Sequence, residues 1–355
     1  MTYSWPQRSL TPDVANARAW GDSWRGSVLD RARVTLPAAR GWGGTPWEGT
    51  GRQWTLRSVS GIVSIVASSI CWSPELRLFC VVRSGDNGFR VMTSPDGITW
   101  TRRASTADIG WTSICWSPQL RLLCAIGENN CMTSQDGITW TARTTVGNQW
   151  RSICWSPELQ LFCAVASNGT GTRVMTSPDG ITWTSRTSAA DNSWQSVCWS
   201  PQLGLFCAVS IDATGNDVMT SADGTTWILR NSAANNTWFG LCWSPELRLF
   251  CAVSENGTGN RVMTSPDGIT WTSRTSAADN SWRAVCWSPE LRLFCAVSAT
   301  GTGNRVMTSP DGITWTLRTS AADVNRYSVC WSPELRIFCA PSLDGTANNS
   351  VMTSP

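Results

Sequence analysis

Fourteen of the fifteen cysteines form seven pairs, and they are the residues of this chain best placed to do chemistry. The second cysteine of each pair follows nine positions after the first, and Cys131 alone stands outside this spacing. A tight turn halfway between the two would set their side chains directly opposite each other across a β-hairpin. They are therefore either buried thiols or cross-strand disulfides, and an N-terminus without the pattern of a secretory signal favours thiols. The pairs are Cys71/Cys80, Cys115/Cys124, Cys154/Cys163, Cys198/Cys207, Cys242/Cys251, Cys286/Cys295 and Cys330/Cys339.

The sequence lacks the residue types that several other kinds of chemistry require. The chain has no histidine, so it offers neither the usual base of a catalytic triad nor a common metal ligand. Only two tyrosines are present, Tyr3 and Tyr327, and most glutamates recur at one turn position of a repeat. Two cysteines per repeat do not converge on the four ligands of a structural zinc site. We therefore predict a protein that is not an enzyme, has no catalytic residue, and holds no metal and no cofactor.

The element that must position these residues is a repeated unit, seen best at residues 242–285. Its leading cysteine returns every 44 residues, except for one step of 39 after Cys115, where one loop is shortened to residues 127–130. A period of about 40–45 residues with several short strands is typical of a propeller blade. Each unit divides into four strands, A to D, which contain Cys-Trp-Ser, Leu-Phe-Cys, Val-Met-Thr-Ser and the residues after Ile-Thr-Trp. β-Branched and aromatic residues fill these runs, and Gly, Pro and Asn separate them.

The sequence thus predicts an all-β fold, a seven-bladed β-propeller of four-stranded antiparallel blades over residues 51–355. Residues 51–58 match strand D, whereas 327–355 stop before a strand D of their own. The N-terminal strand is therefore expected to complete the last blade, which closes the ring and removes open sheet edges. Residues 1–50 do not fit the repeat. We expect them to form a Trp- and Arg-rich arm that docks on the propeller or on a partner.

The turn between strands C and D is a second recurring motif, Ser-Pro-Asp-Gly-Ile-Thr-Trp in its commonest form. Its aspartate is expected to accept backbone N–H bonds and its glycine to take a strained φ, while its tryptophan anchors the turn. The motif resembles the Asp-box, or BNR repeat, of sialidase-type propellers, although Asp and Gly are adjacent here where the usual box has one residue between them. The resemblance implies a structural role, away from any active site, for Asp96, Asp136, Asp179, Asp223, Asp267 and Asp311.

Sialidases of that family use an arginine triad, a tyrosine nucleophile helped by a glutamate, and an acid/base aspartate. No matching cluster of acidic residues accompanies Tyr3 or Tyr327 in the sequence, so a sialidase-like glycoside hydrolase is only a remote alternative. The repeats are also similar to units of structural or surface proteins in large DNA viruses and phages. This likeness implies a non-catalytic branch of the family and a virion as a reasonable setting.

A tryptophan stands four residues before the first cysteine of five repeats, where the D–A loop enters strand A. The D–A and B–C loops share one face of a propeller, and here both are rich in Asn and Asp. These tryptophans either wedge neighbouring blades together or offer aromatic faces to a sugar bound between blades. The candidate ligand-binding residues are Trp111, Trp150, Trp194, Trp238, Trp282, Asn192 and Asn280.

Composition narrows the choice of partners. The net charge of +3 is too small to indicate nucleic acid, and no apolar run of about 18 residues exists, so we expect no membrane insertion. Without a secretory signal at residue 1 onward, an intracellular or virion-associated protein is expected. We predict a non-enzymatic interaction or structural propeller that presents its B–C and D–A loops to a protein partner. The alternative is a multivalent carbohydrate-binding lectin, whose weak sites would gain affinity by avidity.

Overall fold

The structure, a computed structural model, describes residues 51–59, 67–84, 88–343 and 351–354, together with the backbone of 64–65 and 345–346. The arm expected at residues 1–50 therefore lies outside the described residues. All regular elements of the described part are β-strands, and their pairing is antiparallel. A helix long and apolar enough to cross a membrane is absent from these residues.

Most strands follow the expected order A to D within each repeat, and we number them along the chain. Strand A positions are β3 (Ala67–Ser73), β7 (Trp111–Ser117), β13 (Trp194–Ser200), β17 (Trp238–Ser244), β21 (Trp282–Ser288) and β25 (Cys330–Ser332). Strand B positions are β4 (Leu78–Arg83), β10 (Leu161–Ala166), β14 (Leu205–Ser210), β18 (Leu249–Ser254), β22 (Leu293–Ser298) and β26 (Ile337–Pro341). Strand C positions are β5 (Val91–Ser94), β11 (Val174–Ser177), β15 (Val218–Ser221), β19 (Val262–Ser265), β23 (Val306–Ser309) and β28 (Val351–Ser354). Strand D positions are β1 (Thr55–Arg57), β6 (Thr101–Arg103), β12 (Thr184–Arg186), β16 (Ile228–Arg230), β20 (Thr272–Arg274) and β24 (Thr316–Arg318). Two strands are long, β8 (Leu122–Ser134) and β9 (Thr141–Ser156), and two are short, β2 (Ser64–Ile65) and β27 (Gly345–Thr346).

The number of blades differs from the prediction: the structure has six, and seven is wrong. Five blades are four-stranded sheets, and the sixth is a six-stranded sheet in the order β12-β11-β10-β9-β8-β7. In this sheet β8 carries strands B and C of the second repeat, while β9 carries its strand D and strand A of the third repeat. The shortened loop at residues 127–130 is the physical reason. Because Glu128 pairs with Gln149 there, the ladder continues where the other repeats open into loops.

The two ends of the described chain meet in one sheet, ordered β1-β28-β26-β25. Thr55 lies opposite Thr353, and Arg57 lies opposite Val351. The N-terminal strand therefore supplies strand D to the last repeat, and main-chain hydrogen bonds close the ring.

Neighbouring repeats pack through one recurring apolar interface. Between the fourth and fifth repeats, Cys207 and Val209 contact a wall that includes Trp238, Phe250 and Met263. A buried tryptophan removes about 150–250 Å² from water, which is roughly 4–6 kcal/mol at about 25 cal/mol per Å². The other clusters of buried apolar residues also combine two neighbouring repeats, so each repeat is stabilised by its two neighbours.

A belt of hydrogen bonds runs around the ring at the A–B turns. The tryptophan of each Cys-Trp-Ser phrase donates its Nε1–H to the Glu or Gln in the A–B turn of the preceding repeat, at 2.5–2.7 Å. The first repeat takes its acceptor from the last, so the belt is closed. Its pairs are Trp72–Glu334, Trp116–Glu75, Trp155–Gln119, Trp199–Glu158, Trp243–Gln202, Trp287–Glu246 and Trp331–Glu290.

The cysteine pairs lie directly opposite each other in the A–B hairpins, as their spacing predicts. All fifteen are free thiols in this structure. Burial raises the pKa of the Cys71 thiol to about 12, and the same cause raises that of its partner Cys80. Thiols with such pKa values stay protonated at neutral pH and are poor nucleophiles, so these pairs act as small apolar side chains.

Candidate functional site

The five tryptophans predicted as ligand contacts are completely buried, at 0% exposure. Four of them also donate their indole N–H to the carbonyl four residues earlier; Trp238, for example, reaches the Ala234 oxygen at 3.2 Å. A sugar could not stack on these rings without displacing the interface between repeats. Packing accounts for their position, and a role in ligand contact stays a prediction.

The two predicted asparagines tie loops together. The Asn192 side-chain amide donates to the Asn216 carbonyl at 2.8 Å, and that of Asn280 donates to the Asn304 carbonyl at 2.9 Å. Each bond joins a D–A loop to the B–C loop of the same repeat, so the structure places both loop types on one face. These side chains stiffen the loop face, and their use by a ligand also stays a prediction.

The C–D turns have the hydrogen bonds and the glycine conformation that the sequence motif predicts. In one of them, Asp267 Oδ1 accepts the N–H groups of Ile269 and Thr270 at 2.8 Å each, and Gly268 has a φ of 73°. Burial alone would raise the pKa of Asp267, but these hydrogen bonds and one from Ser265 hold it below its ordinary value. The other five aspartates of this motif repeat the arrangement. Their carboxylates are engaged within the turn, which leaves them a structural role.

The structure brings seven side chains, one from each repeat, together at the mouth of the central channel. Each stands three residues before the first cysteine of its repeat, and together they line a cavity of about 430 Å³ on the side of the B–C loops. The next residue along the chain is small in every repeat, being Ser, Gly or Ala. The mouth residues themselves differ in type: Ser68, Thr112, Arg151, Gln195, Phe239, Arg283 and Tyr327.

One arginine dominates this mouth because two aromatic rings hold it. The Arg283 guanidinium carbon lies 4.1 Å from the ring centre of Phe239 and 4.7 Å from that of Tyr327. The two rings are edge to face with centres 6.3 Å apart. Cation–π contact with two rings, which lie at right angles to each other, restricts the movement of the guanidinium, and each such contact is worth about 0.5–2 kcal/mol. We call these three residues the channel cluster.

The hydrogen bonds of Arg283 leave some of its guanidinium N–H groups available to a ligand. One terminal nitrogen donates to Oε1 of Glu255, which lies in the B–C loop of the preceding repeat, at 2.7 Å. The Nε–H is buried and has no acceptor among the described residues. A buried donor without a partner is uncommon in folded proteins and points to a ligand or a water molecule that completes it.

A second arginine of the mouth is held differently. Arg151 Nε donates to Ser167 Oγ at 2.9 Å, and one terminal nitrogen lies 3.3 Å from Gln149 Oε1. With Arg283 it gives the mouth two cations, and Glu255 is the carboxylate that pairs with Arg283 among the described residues. Acidic groups of a partner would therefore be favoured over basic ones.

No group of three or more His, Cys, Asp or Glu in the described ranges is arranged to hold a metal.

Sequence reasoning missed the channel cluster, although a signal for it exists. When the repeats are aligned on their cysteines, the position three residues before the first cysteine carries a different residue in almost every repeat, while its neighbours hardly vary. A position whose residue differs from one repeat to the next is not needed to maintain the structure of the ring. Only the structure shows that these positions, about 44 residues apart in sequence, meet around one axis.

Comparison with known proteins supports the propeller fold. No protein-family model and no curated protein matches this sequence. Among solved structures, that of streptogramin B lyase is similar, with a TM-score of 0.71 and 8% identity over 85% of this chain and 97% of the other. A chain in the crystal structure of the mitotic checkpoint complex has a TM-score of 0.65 and 14% identity, covering 93% of this chain and 98% of the other. At such identities the likeness shows the propeller fold alone.

Proposed function

We propose that this protein is a non-enzymatic interaction module that binds a protein partner at its loop face, with the channel cluster as the anchor point. The observation that carries the proposal is the contact of the Arg283 guanidinium with the rings of both Phe239 and Tyr327. Tyrosine and arginine are enriched among the residues that contribute most to binding energy in protein interfaces. An arginine whose orientation is already fixed also loses less entropy when it binds.

The charges at the mouth indicate the kind of segment it would hold. Two arginines face one glutamate, so an extended peptide with a carboxylate side chain, or a free C-terminus, would suit the site. The carboxylate would take hydrogen bonds from the planar fork of Arg283, a pairing that arginine makes with good geometry. The likeness of the repeats to those of viral structural proteins favours a virion or surface component as the setting.

The alternatives named from the sequence find less support at this site. A lectin with sites between blades needs exposed aromatic faces, and its five candidate tryptophans are buried. A sialidase-like hydrolase needs three arginines and an acid/base aspartate, whereas the lining of the mouth contains Arg151 and Arg283 and no aspartate. Protein binding requires neither feature.

A displayed library of random twelve-residue peptides tests the proposal. We expect selection against the full chain to enrich acidic peptides, and Arg283→Gln to weaken their binding at least tenfold. Gln195 occupies the equivalent mouth position of another repeat, so glutamine fits there without disturbing the strand. Arg248→Gln, on an A–B turn at the opposite face, is the matched control and should leave binding unchanged. Peptides that bind Arg283→Gln and the unaltered protein equally, or a selection that yields no saturable binder, would reject the proposal.

A further inference from the structure

A groove far from the channel mouth carries an unusual concentration of arginine. It has a volume of about 820 Å³ and lies between the sixth repeat and the sheet that closes the ring, at the A–B and C–D turns. Its lining contains four arginines and one acidic residue, Glu290. The Glu290 carboxylate already accepts the indole N–H of Trp331 at 2.6 Å. The charged lining residues therefore sum to +3, from Arg52, Arg292, Arg318 and Arg336 less Glu290.

The same groove elsewhere in the ring has the opposite charge. Between the second and third repeats it is smaller, about 420 Å³, and its lining holds Asp136 and Asp179 with a single arginine, Arg143. Those charged residues sum to −1. Arg292, Arg318 and Arg336 stand at positions where most other repeats also carry arginine, so Arg52 is the arginine that sets the closing groove apart.

Closure of the ring is the origin of the difference. Gly51 donates its N–H to Ser354 Oγ at 2.8 Å, so the C–D turn of the last repeat is assembled from both ends of the described chain. In the sequence, Thr50 precedes this glycine where the other turns have aspartate. Arg52 follows it where five other turns carry an exposed isoleucine, namely Ile98, Ile138, Ile181, Ile269 and Ile313. The closing turn therefore carries a positive charge where those five turns carry an apolar side chain.

Two of these arginines influence each other electrostatically. Arg318 Nε donates to Thr308 Oγ1 at 2.8 Å, which fixes its guanidinium at the wall of the groove. Partial burial lowers the pKa of Arg318, and the positive charge of Arg52 lowers it further. Like charges repel each other, and an anion between the two guanidinium groups would relieve the repulsion.

We infer that this groove binds a small polyanion that carries two or more phosphate or sulfate groups. Arginine forks bind such oxyanions in a bidentate manner. The volume lies within the range of about 300–1,000 Å³ typical of small-molecule sites, and it exceeds what a single phosphate would fill. A net charge of +3 in the lining matches a multivalent anion better than a monovalent one. The site lies on the other face from the channel cluster and does not depend on it.

Calorimetric titration of the full chain with tripolyphosphate tests this site. We expect saturable binding of one molecule, weakened at least tenfold by Arg52→Ile and at least fivefold by Arg292→Gln. Both changes restore residues that the ring already uses. Isoleucine occupies the position of Arg52 in five other turns, and Gln160 occupies that of Arg292 with a φ of 49° against 50°. Neither variant is therefore expected to unfold.

Two control variants distinguish binding at this groove from attraction of the anion to charge elsewhere on the surface. Arg248→Gln removes the same charge from the equivalent turn of the fifth repeat, and should leave the affinity unchanged. Arg283→Gln should also have no effect, which makes the outcome independent of the proposed partner site. Sucrose octasulfate, titrated in the same way, distinguishes sulfate from phosphate as the preferred group. An absence of saturable binding by either probe would overturn the inference, as would an equal loss of affinity in Arg248→Gln and Arg292→Gln.

Discussion

Gly240 shows how closely neighbouring strands approach beneath the channel cluster. In four places around the wall, the serine two residues before the first cysteine of a repeat accepts a backbone N–H from the next repeat; Ser152 Oγ, for instance, accepts the Val197 N–H at 3.1 Å. Gly240 has no such side chain. A Cβ built there would lie 2.8 Å from the Ala284 Cα and 2.9 Å from the Arg283 carbonyl oxygen. The glycine therefore permits the close approach of strands β17 and β21 that positions Arg283.

We predict that Gly240→Ala lowers the free energy of unfolding by about 1–3 kcal/mol, because the added methyl meets backbone that cannot move easily. The matched control is Ser196→Ala, which removes a hydroxyl at the equivalent position and should cost less than about 1 kcal/mol. Urea unfolding followed by tryptophan fluorescence measures both variants. Equal stabilities for Gly240→Ala and the unaltered protein would show that the strands can separate without cost.

The aspartates of the C–D turns make a second prediction at the residue scale, in the dependence of stability on pH. Their pKa values are lowered in the folded protein from an ordinary value of 3.8, so the folded state releases their protons more readily than the unfolded state. Their contribution to stability is therefore complete above about pH 5 and is lost as the pH falls below about 4. Urea midpoints between pH 7 and pH 2.5 should show this loss.

Asparagine keeps the acceptor oxygen but cannot ionise, so Asp267→Asn should flatten the acid limb of that profile. A double variant with Asp179→Asn should flatten it about twice as much, because the two turns belong to different repeats and contribute independently. If both profiles coincide with that of the unaltered protein, the turn carboxylates do not govern the stability in acid.

At the scale of elements, the belt between tryptophans and A–B turns joins each repeat to its neighbour. Trp199 is 7% exposed, and its Nε1 donates to Glu158 Oε2 at 2.6 Å. We predict that Glu158→Ala costs about 1–3 kcal/mol, because it leaves a nearly buried donor without its acceptor. Glu158→Gln should be close to neutral, since Gln119 and Gln202 already fill this place in the ring. Urea unfolding compares the two, and a similar cost for both would mean that charge, and not hydrogen bonding, matters at this contact.

Hairpins could be predicted from sequence because their signals are local. The nine-residue spacing of Cys242 and Cys251 sets the register of one A–B hairpin, and the structure has these residues directly opposite each other. The merging of two repeats into one sheet could not be predicted in the same way. The short loop was visible, but pairing of Glu128 with Gln149 depends on the path of a second loop some 20 residues away. The channel cluster was missed for the same reason, since its members come from separate repeats.

At the scale of the whole molecule, the ring depends on one seam where no peptide bond joins neighbouring strands. Strand β1 meets β28 through Thr55 and Thr353, a pair equivalent to Thr272 and Thr264 inside an unbroken repeat. In both pairs the strand C threonine accepts a hydrogen bond from a strand D arginine, at 2.8 Å and 2.9 Å. The two sites therefore differ mainly in the length of chain between their members.

This difference makes a disulfide a direct test of the seam. Residues directly opposite each other in antiparallel strands have Cα atoms about 4.5–5.5 Å apart, a separation that a disulfide can span. We predict that Thr55→Cys with Thr353→Cys, once oxidised, stabilises the protein about 3 kcal/mol more than Thr264→Cys with Thr272→Cys. The first bridge closes a loop of roughly 300 residues and the second one of roughly 8, and the entropy removed from the unfolded chain grows with the logarithm of loop length. Both pairs lose the same arginine–threonine bond, so that cost cancels. Urea midpoints with and without reductant give each gain, and equal gains would show that the unfolded chain already keeps its two ends together.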